Sequence, residues 1–363
     1  MSSGWGKNIR VSVFGQSHSE AIGVVIDGLP AGRKLDMDAI DAFMQRRAPG
    51  KTPLSTARRE PDRVRILSGL SGGRLCGAPL AAVIENKDIR PADYTAISDT
   101  PRPGHADYTA QVKYKGAQDS SGGGHFSGRL TAPLCIAGAV CLQLLEDEGV
   151  RVGAHIERIG EAADKRFDPV SVSPSDFKAV SENALPVIDG AAAEKMALLI
   201  ERVKSQGDSV GGIVECAIID LPAGVGEPMF EGLENRISAA VFAIPAVRGI
   251  EFGAGFAGCL MPGSAHNDSY TVADGVIRTL TNNHGGILGG ISSGMPVIFR
   301  TAFKPTPSIA KTQRTVSLSR MKQADITIGG RHDPCIVPRA VPCVEAAAAI
   351  AVYDSLLEYR KYL

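Results

Sequence analysis

Six of the seven histidines sit beside Gly, Ser, Asn or Asp. His18 follows Ser17, His105 lies in Gly104-His105-Ala106-Asp107, and His125 follows Gly124. His266 precedes Asn267-Asp268, His284 stands between Asn283 and Gly285, and His332 precedes Asp333. Such neighbours mark loops, where binding and catalytic groups concentrate. One loop histidine usually satisfies a local hydrogen bond, but six suggest that at least two share a site. Histidine titrates near neutral pH, so the chemistry on offer is proton transfer. Asp333 beside His332 could tune or orient such a group. Only His155 falls in an alternating, strand-like run.

Two glycine runs could bring backbone close to a ligand. Ser120–Gly128 reads SSGGGHFSG and Asn282–Gly294 reads NNHGGILGGISSG. Glycine allows close approach and leaves N–H groups for an anion. Neither run matches GxGxxG after a strand or GxxxxGK[ST], so neither a dinucleotide fold nor a P-loop is indicated. Arginines cluster nearby: Arg46-Arg47, Arg58-Arg59, Arg102, Arg129 and Arg331. Guanidinium forks bind phosphate and carboxylate two-pronged. Surface ion pairing is an equal reading for Arg58-Arg59. Together the residues point to acid–base chemistry on a phosphorylated, carboxylated metabolite, and they name neither a cofactor nor the bond broken.

The chain as a whole is electrically neutral, with 39 Lys+Arg against 39 Asp+Glu. No nucleic-acid footprint or membrane-surface patch is expected, so any basic site is local. The seven cysteines include no CxxC pair, and most lie in apolar runs. They read as buried, reduced thiols of a cytosolic protein. His332 and Cys335 have ligand-like spacing but no companion pair, so no metal site is expected. The first residues lack the apolar core of a signal peptide. Ala346–Leu357 reads as too short or too polar to span a bilayer.

Interspersed strands and helices must position these loops. Strand-like runs are Gly23–Ile26, Arg63–Leu67, Gly212–Ile219, Gly249–Phe256, Pro296–Phe299 and Ile326–Ile328. Helical periodicity predicts helices from Asp36 to about Arg47 and from Thr131 to about Glu148. Further helices are predicted over Ala191–Lys204, Leu233–Phe242 and Val344–Tyr359. Several strands follow one another without a helix between, which argues against uniform βαβ winding. Residues 160–190 are polar and Pro/Ser-rich and read as an irregular surface excursion. VVIDGLPAG at 24–32 and AIIDLPAG at 217–224 form a weak internal repeat, each a strand run into a Leu-Pro-Ala-Gly turn. A good turn used twice would also explain it.

The motifs FGQSHS (14–19), RRAPG (46–50), RREPDRVRILSG (58–69) and RPGHADYT (102–109) resemble the chorismate synthase family. GEP (226–228), GSAHND (263–268), NNHGGILGGISSG (282–294), KPTPSI (304–309) and GRHDPCIVPRAVP (330–342) continue the resemblance in the family's order. It runs from about residue 9 to about residue 355, and RPGHADYT, GGILGGISSG and GRHDPC together are highly specific. The resemblance implies an α+β sandwich in which two antiparallel sheets enclose a helical layer, with a pseudo-twofold internal repeat. One domain spans 1–363, with halves at roughly 1–190 and 191–363.

It also implies a cytoplasmic homotetramer catalysing the last common step of the shikimate pathway. That step is the anti 1,4-elimination of phosphate from 5-enolpyruvylshikimate 3-phosphate, giving chorismate. Reduced FMN is required without net redox change. NADPH joins it in those members that reduce their own flavin.

Carried onto this chain, the resemblance makes His18 the acid for the leaving phosphate. His105 stabilises the anionic flavin, and Asp333 assists proton removal. Ser17 and Ser127 position these groups. Arg46, Arg47, Arg102 and Arg129 hold the phosphate and carboxylates. His125, Phe126, Ser127, Gly289, Lys304, Pro305, Thr306, Pro307, Ser308 and Arg331 line the flavin site. The chain departs from the family at His125, usually arginine, at Phe126, usually serine, and at Leu130, usually glutamate. Competing readings are a flavin reductase on the same scaffold and a non-catalytic binder of phosphorylated metabolites. The intact His18, His105 and Asp333 argue against the binder.

Overall fold

The computed structural model describes residues 3–50, 54, 60–87, 99–273, 275–329 and 332–363. Arg58, Arg59 and Arg331 lie outside the described residues. Two five-stranded antiparallel sheets form the outer layers. The first is built from β1 (Gly4–Trp5), β2 (Arg10–Gly15), β3 (Ala21–Asp27) and β4 (Arg65–Ser68). The hairpin β5 (Leu70–Ser71) and β6 (Arg74–Leu75) follows, and β7 (Leu80–Glu85) then inserts between β3 and β4. The second sheet comprises β8 (Arg151–Ile159), β9 (Ala162–Ala163), β10 (Gly212–Ile219) and β11 (Val247–Phe252). After the hairpins β12 (Tyr270–Ala273)–β13 (Val276–Thr279) and β14 (Ile287–Leu288)–β15 (Ile291–Ser292) comes β16 (Val297–Phe303), between β10 and β11. A last hairpin pairs β17 (Gln313–Ser317) with β18 (Lys322–Ile326).

The helices are α1 (Met37–Arg47), α2 (Asp107–Tyr114), α3 (Thr131–Asp147), α4 (Pro174–Ser181), α5 (Gly190–Ser205), α6 (Leu233–Phe242), α7 (Gly263–His266) and α8 (Val337–Tyr359). α3 and α8 pack on each other; α3 touches β3 and β7, and α8 touches β8 and β10. They are apolar nearly all round, as a helix covered on all sides must be. By length and composition both could cross a membrane, yet 78% and 94% of their apolar windows are buried between the sheets. The α+β sandwich expected from the sequence is therefore the observed architecture.

Strand faces follow the burial rule. Ile22, Val24 and Ile26 of β3 and Val214, Cys216 and Ile218 of β10 enter the central core. Ala217 and Ile219, on the other face of β10, meet Phe167, Val172 and Val180. That contact corrects the reading of 160–190 as an irregular excursion. The segment carries α4, started by Ser173 and Asp176 in a capping box, and it covers the outer face of the second sheet. Its apolar residues are too far apart in sequence to show a period.

Asp36 caps α1 by accepting from the Ala39 N–H, as predicted. α8 starts seven residues before the expected Val344. Pro338 falls in its first turn, where a missing N–H costs little, whereas Pro342 lies inside the helix and forgoes the bond to the Pro338 carbonyl. Each Leu-Pro-Ala-Gly turn follows the middle strand of a sheet, β3 or β10. After each turn come a helix, an edge strand, a strand inserted beside the middle one, and a long central helix. The second such run begins at β8, upstream of residue 190.

Candidate active site

The first turns of α3 and α8 open onto a cavity of about 1630 Å³. The turn between β2 and β3 supplies Ser17 and His18. Ser19 fastens this turn by accepting from the Gln16 N–H at 3.0 Å and donating to the Ala21 carbonyl at 2.8 Å. The loop before α2 supplies Arg102 and His105. The glycine-rich loop before α3 supplies His125, Phe126, Ser127 and Arg129, and the segment after β16 supplies Lys304, Thr306, Pro307 and Ser308. His332 and Asp333 arrive just ahead of α8. His18, His105 and Asp333 thus share one cavity although 315 positions separate the first from the last.

The glycine-rich loop is seated between the two histidines. Gly122 has φ +58°, and a Cβ there would lie 2.1 Å from Cε1 of His18 and 2.9 Å from Oγ of Ser17. At Gly123, φ +83°, a Cβ would reach 3.1 Å from Nε2 of His105. Only glycine permits both the left-handed backbone and the contact. The Ser17 N–H donates to the Gly124 carbonyl at 3.1 Å, which locks the loop to the β2–β3 turn.

Each buried cation has a carboxylate that fixes it. Asp62 receives Arg47 Nη1 at 2.9 Å on one oxygen and Arg129 Nη1 on the other. Burial alone would raise the Asp62 carboxyl, but the two guanidiniums outweigh it and hold the group below its usual range. Arg47 also donates to Thr131 Oγ1 at 3.1 Å and to the Gly128 carbonyl at 2.9 Å. Arg129 Nε donates to Asn86 Oδ1 at 3.0 Å, and the Asn86 amide holds the carbonyls of Gln16 and Ser19.

Arg102 clamps Asp107 with Nε at 2.7 Å and Nη2 at 2.8 Å, and its Nη1 donates to Ser308 Oγ at 3.2 Å. His105 Nδ1 lies 2.6 Å from Asp107 Oδ1. Burial acts against ionisation of Asp107, yet the hydrogen bonds from Arg102 and His105 drive its carboxyl far below the ordinary value. An ionised Asp107 accepts a hydrogen bond from Nδ1–H of His105 and so orients the ring, while Nε2 lies 3.3 Å from Nη2 of Arg102.

Among the described lining residues, Arg47, Arg102, Lys113, Arg129, Arg248, Lys304 and Arg339 are joined by only two acidic side chains, Asp119 and Asp333. A neutral chain has concentrated its positive charge here. Arg129 Nη2, Thr306 Oγ1 and His332 Nε2 are buried and have no hydrogen-bond partner among the described residues. Buried polar atoms of this kind mark places where a ligand completes the bonding. Burial, then Arg102, lowers the His332 pKa, so its imidazole is neutral at pH 7.

Several residues expected here lie elsewhere or serve differently. Arg46 does not line the cavity: Nη1 and Nη2 grip Glu345 at 2.6 and 2.8 Å, and that carboxylate also accepts the Ala154 N–H at 3.0 Å. The helix turn that points Arg47 into the cavity points Arg46 at α8 instead. Gly289 occupies the tight turn between β14 and β15, and neither it nor Pro305 lines the cavity. His125 lines the rim but is tied to structure, Nδ1 to the Gly15 carbonyl at 2.8 Å and Nε2 to Ser3 Oγ at 2.7 Å. Ser127 caps the turn leading into α3 by accepting from the Arg129 N–H at 3.3 Å. Phe126 forms an aromatic wall with Tyr114, ring centroids 6.3 Å apart.

Sequence reasoning passed over Arg339, Asp62, Asp107 and Arg248. Arg339 is half-buried among the cavity's ion pairs, with Nη1 2.5 Å from Asp333 Oδ2 and Nε 3.0 Å from the Arg47 carbonyl. Asp62, Asp107 and Arg339 all lie inside motifs already quoted. Their signal was a charge spaced a few residues from a histidine or arginine.

Comparison with known proteins agrees with this geometry. The family model described as chorismate synthase matches residues 9–357. A chorismate synthase of Lancefieldella parvula is 45% identical over 370 residues, covering 99% of this chain and 97% of the relative. That of Pyrococcus abyssi is 47% identical over 352 residues, covering 97% of each. That of Thermococcus kodakarensis is 45% identical over 357 residues, covering 98% of each. A solved structure described as a crystal structure of chorismate synthase superposes with a TM-score of 0.75 at 25% identity, covering 98% of this chain and 93% of that one. A cationic cavity that brings His18, His105 and Asp333 together, on a sandwich whose whole length matches these relatives, places this chain in the chorismate synthase family.

Proposed function

We propose that this cavity binds 5-enolpyruvylshikimate 3-phosphate against reduced FMN and carries out the anti 1,4-elimination of phosphate that yields chorismate. The observation that carries the reading is the excess of cations over carboxylates among the residues lining the cavity around His18, His105 and Asp333, in a chain of zero net charge. A phosphate and two carboxylates match that field.

The residues present fit a flavin and substrate together. The volume exceeds the range of roughly 300–1,000 Å³ usual for one small ligand. Phe126 and Tyr114 offer an aromatic wall, and Thr306 Oγ1 and His332 Nε2 offer unfilled hydrogen-bonding positions. Phe126, Ser127, Lys304, Thr306, Pro307 and Ser308 would hold the flavin. When bound, reduced flavin supplies electron density to the carbon losing phosphate and a basic nitrogen for the ring proton.

The protein's own residues do the remainder. Arg47 and Arg129, fixed on Asp62, present guanidinium charge to the phosphate without reorganising. His18, pressed by Gly122, delivers a proton to the departing phosphate oxygen. His105, oriented by ionised Asp107, offers Nε2 to the anionic partner. Asp333, held by Arg339, assists removal of the ring proton. The glycine-rich loop excludes water and thereby strengthens each contact.

The reading extends to a cytoplasmic homotetramer. Tyr270, Val272, Val276, Ile277 and Leu280, on and beside the β12–β13 hairpin, are exposed, as are Phe256 and Leu260. Such apolar surface supports burial against other copies. Light scattering after size exclusion tests this, a monomeric mass counting against it. The main test is an anaerobic assay with reduced FMN and substrate. Phosphate release and chorismate absorbance rise together if the reading is right, and release of neither refutes it. Oxidised FMN with NADPH, in place of reduced FMN, tests self-reduction.

A further inference from the structure

Below the cavity floor, two thiols meet across the seam between α3 and α8. Sγ of Cys135 lies 3.8 Å from Sγ of Cys343. Three residues further along each helix, a Cβ on Gly138 would lie 2.2 Å from the Cβ of Ala346. The helices therefore run side by side in the same direction, at a spacing only glycine allows. Cys135 is fully buried, whereas Cys343 is reached from the cavity. Of the other cysteines, Cys76 and Cys259 are exposed, and Cys141, Cys216 and Cys335 are buried.

The surroundings of the two sulfurs differ. The Cys135 S–H points at Cys343, and Arg47, Thr131 and Arg339 stand near the Cys343 sulfur. The hydrogen bond from Cys135, then Arg47, brings the Cys343 thiol below a free cysteine, while burial pushes Cys135 well above. A buried cysteine that lines a cavity, with a second thiol and a guanidinium beside its sulfur, is placed to meet a small oxidant that enters the cavity.

We propose that Cys135 and Cys343 form a reversible dithiol–disulfide modification site, opened to a small hydroperoxide through the cavity. The Cys343 thiolate attacks the peroxide oxygen, breaking the O–O bond. This gives the Cys343 sulfenic acid, and the leaving oxide takes a proton to become water or an alcohol. The Cys135 sulfur then attacks the sulfenic sulfur, an S–S bond forms, and the hydroxyl leaves as water with the Cys135 proton. Each peroxide is reduced by two electrons and two thiols are oxidised. A small dithiol reverses the change. Closure brings the sulfurs from 3.8 Å to about 2.05 Å. That movement tethers the first turns of α3 and α8, which carry Thr131 and Arg339. These two residues hold Arg47 and Asp333, so oxidation distorts the cavity.

The site stands independently of the elimination reading, and its test reads thiols directly. Treat the reduced protein with hydrogen peroxide, quench, alkylate, and map peptides by mass spectrometry without reduction. A Cys135–Cys343 linked peptide is expected, with the thiols titratable in the denatured protein falling from seven to five. Dithiothreitol restores all seven. Cys135→Ala gives no linked peptide and leaves Cys343 trappable by dimedone as the sulfenic acid; Cys135→Ser is the second variant should alanine fold poorly. Recovery of both cysteines alkylated while exposed Cys76 and Cys259 are oxidised overturns the proposal. A linked peptide formed with no fall in turnover overturns the coupling to the cavity.

Discussion

Arg339 bonds Asp333 through Nη1 at 2.5 Å while its Nε holds the Arg47 carbonyl at 3.0 Å. One half-buried guanidinium thus sets the position of the aspartate and of the end of α1 together. Arg339→Met is expected to lower kcat by about 10–100-fold with little change in KM, since it removes a charge-assisted bond from a group acting in the transition state. Arg339→Lys keeps the charge, loses the fork, and falls between. Steady-state kinetics on the two variants decide; unchanged kcat in both removes the positioning role.

Gly122→Ala tests the loop over His18. The left-handed backbone costs alanine about 1–2 kcal/mol, and the new Cβ collides with the imidazole at 2.1 Å. Turnover should fall by about 100-fold, the loss expected from a misplacement of roughly 1 Å. Circular dichroism should remain that of the folded protein. A variant with normal kcat would show that His18 needs no such packing.

Arg46 and Arg47 are adjacent but do different work, and substitution separates them. Arg46→Met strands the Glu345 carboxylate between α1 and α8 and should cost about 3 kcal/mol of stability, as breaking a buried pair does. KM should stay close to that of the parent. Arg47→Met should raise KM through lost phosphate binding. Thermal melts and kinetics measured in parallel check this, and a raised KM for Arg46→Met with an unchanged melt would return Arg46 to the substrate.

His155 makes stability depend on pH. It is buried between Glu215, Nε2 to Oε2 at 3.0 Å, and Asp164, Nδ1 to Oδ2 at 3.4 Å. Arg300 faces Glu215 at 3.6 Å, and the Phe167 ring lies edge-on at 4.5 Å. Burial opposes its charge, but the two carboxylates win and raise its pKa above the usual 6.5. A group with a raised folded pKa stabilises fully below its unfolded pKa and loses that contribution as pH climbs through the folded value. The melting temperature should therefore fall as pH rises above about 6.5, and His155→Gln should flatten that slope. Parallel slopes in the two proteins would refute the assignment.

Much of this arrangement was legible in the residues. Asp36, the paired arginines and the apolar period gave α1 its limits, and the valine and isoleucine runs gave β3 and β10 theirs. His18, His105 and Asp333 stood out through their loop neighbours and the motifs around them. What stayed hidden was decided in three dimensions. Arg46 and Arg47 look alike in sequence, and only the helix turn separates a strut from a ligand-facing group. His125 looked like a site histidine until Gly15 and Ser3 took both its nitrogens. Arg339 is hidden inside a helix start that lies ahead of the predicted Val344. Phe167, Val172 and Val180 showed no period because they cover a sheet face from a winding path.

The contact of Gly138 with Ala346 leaves no slack where the two central helices touch. A base that tight does not flex to admit a molecule or to let one go. Opening and closing must come from the glycine-bearing loops above it, and the slowest event of the working cycle is expected to be their movement rather than any shift of the helices.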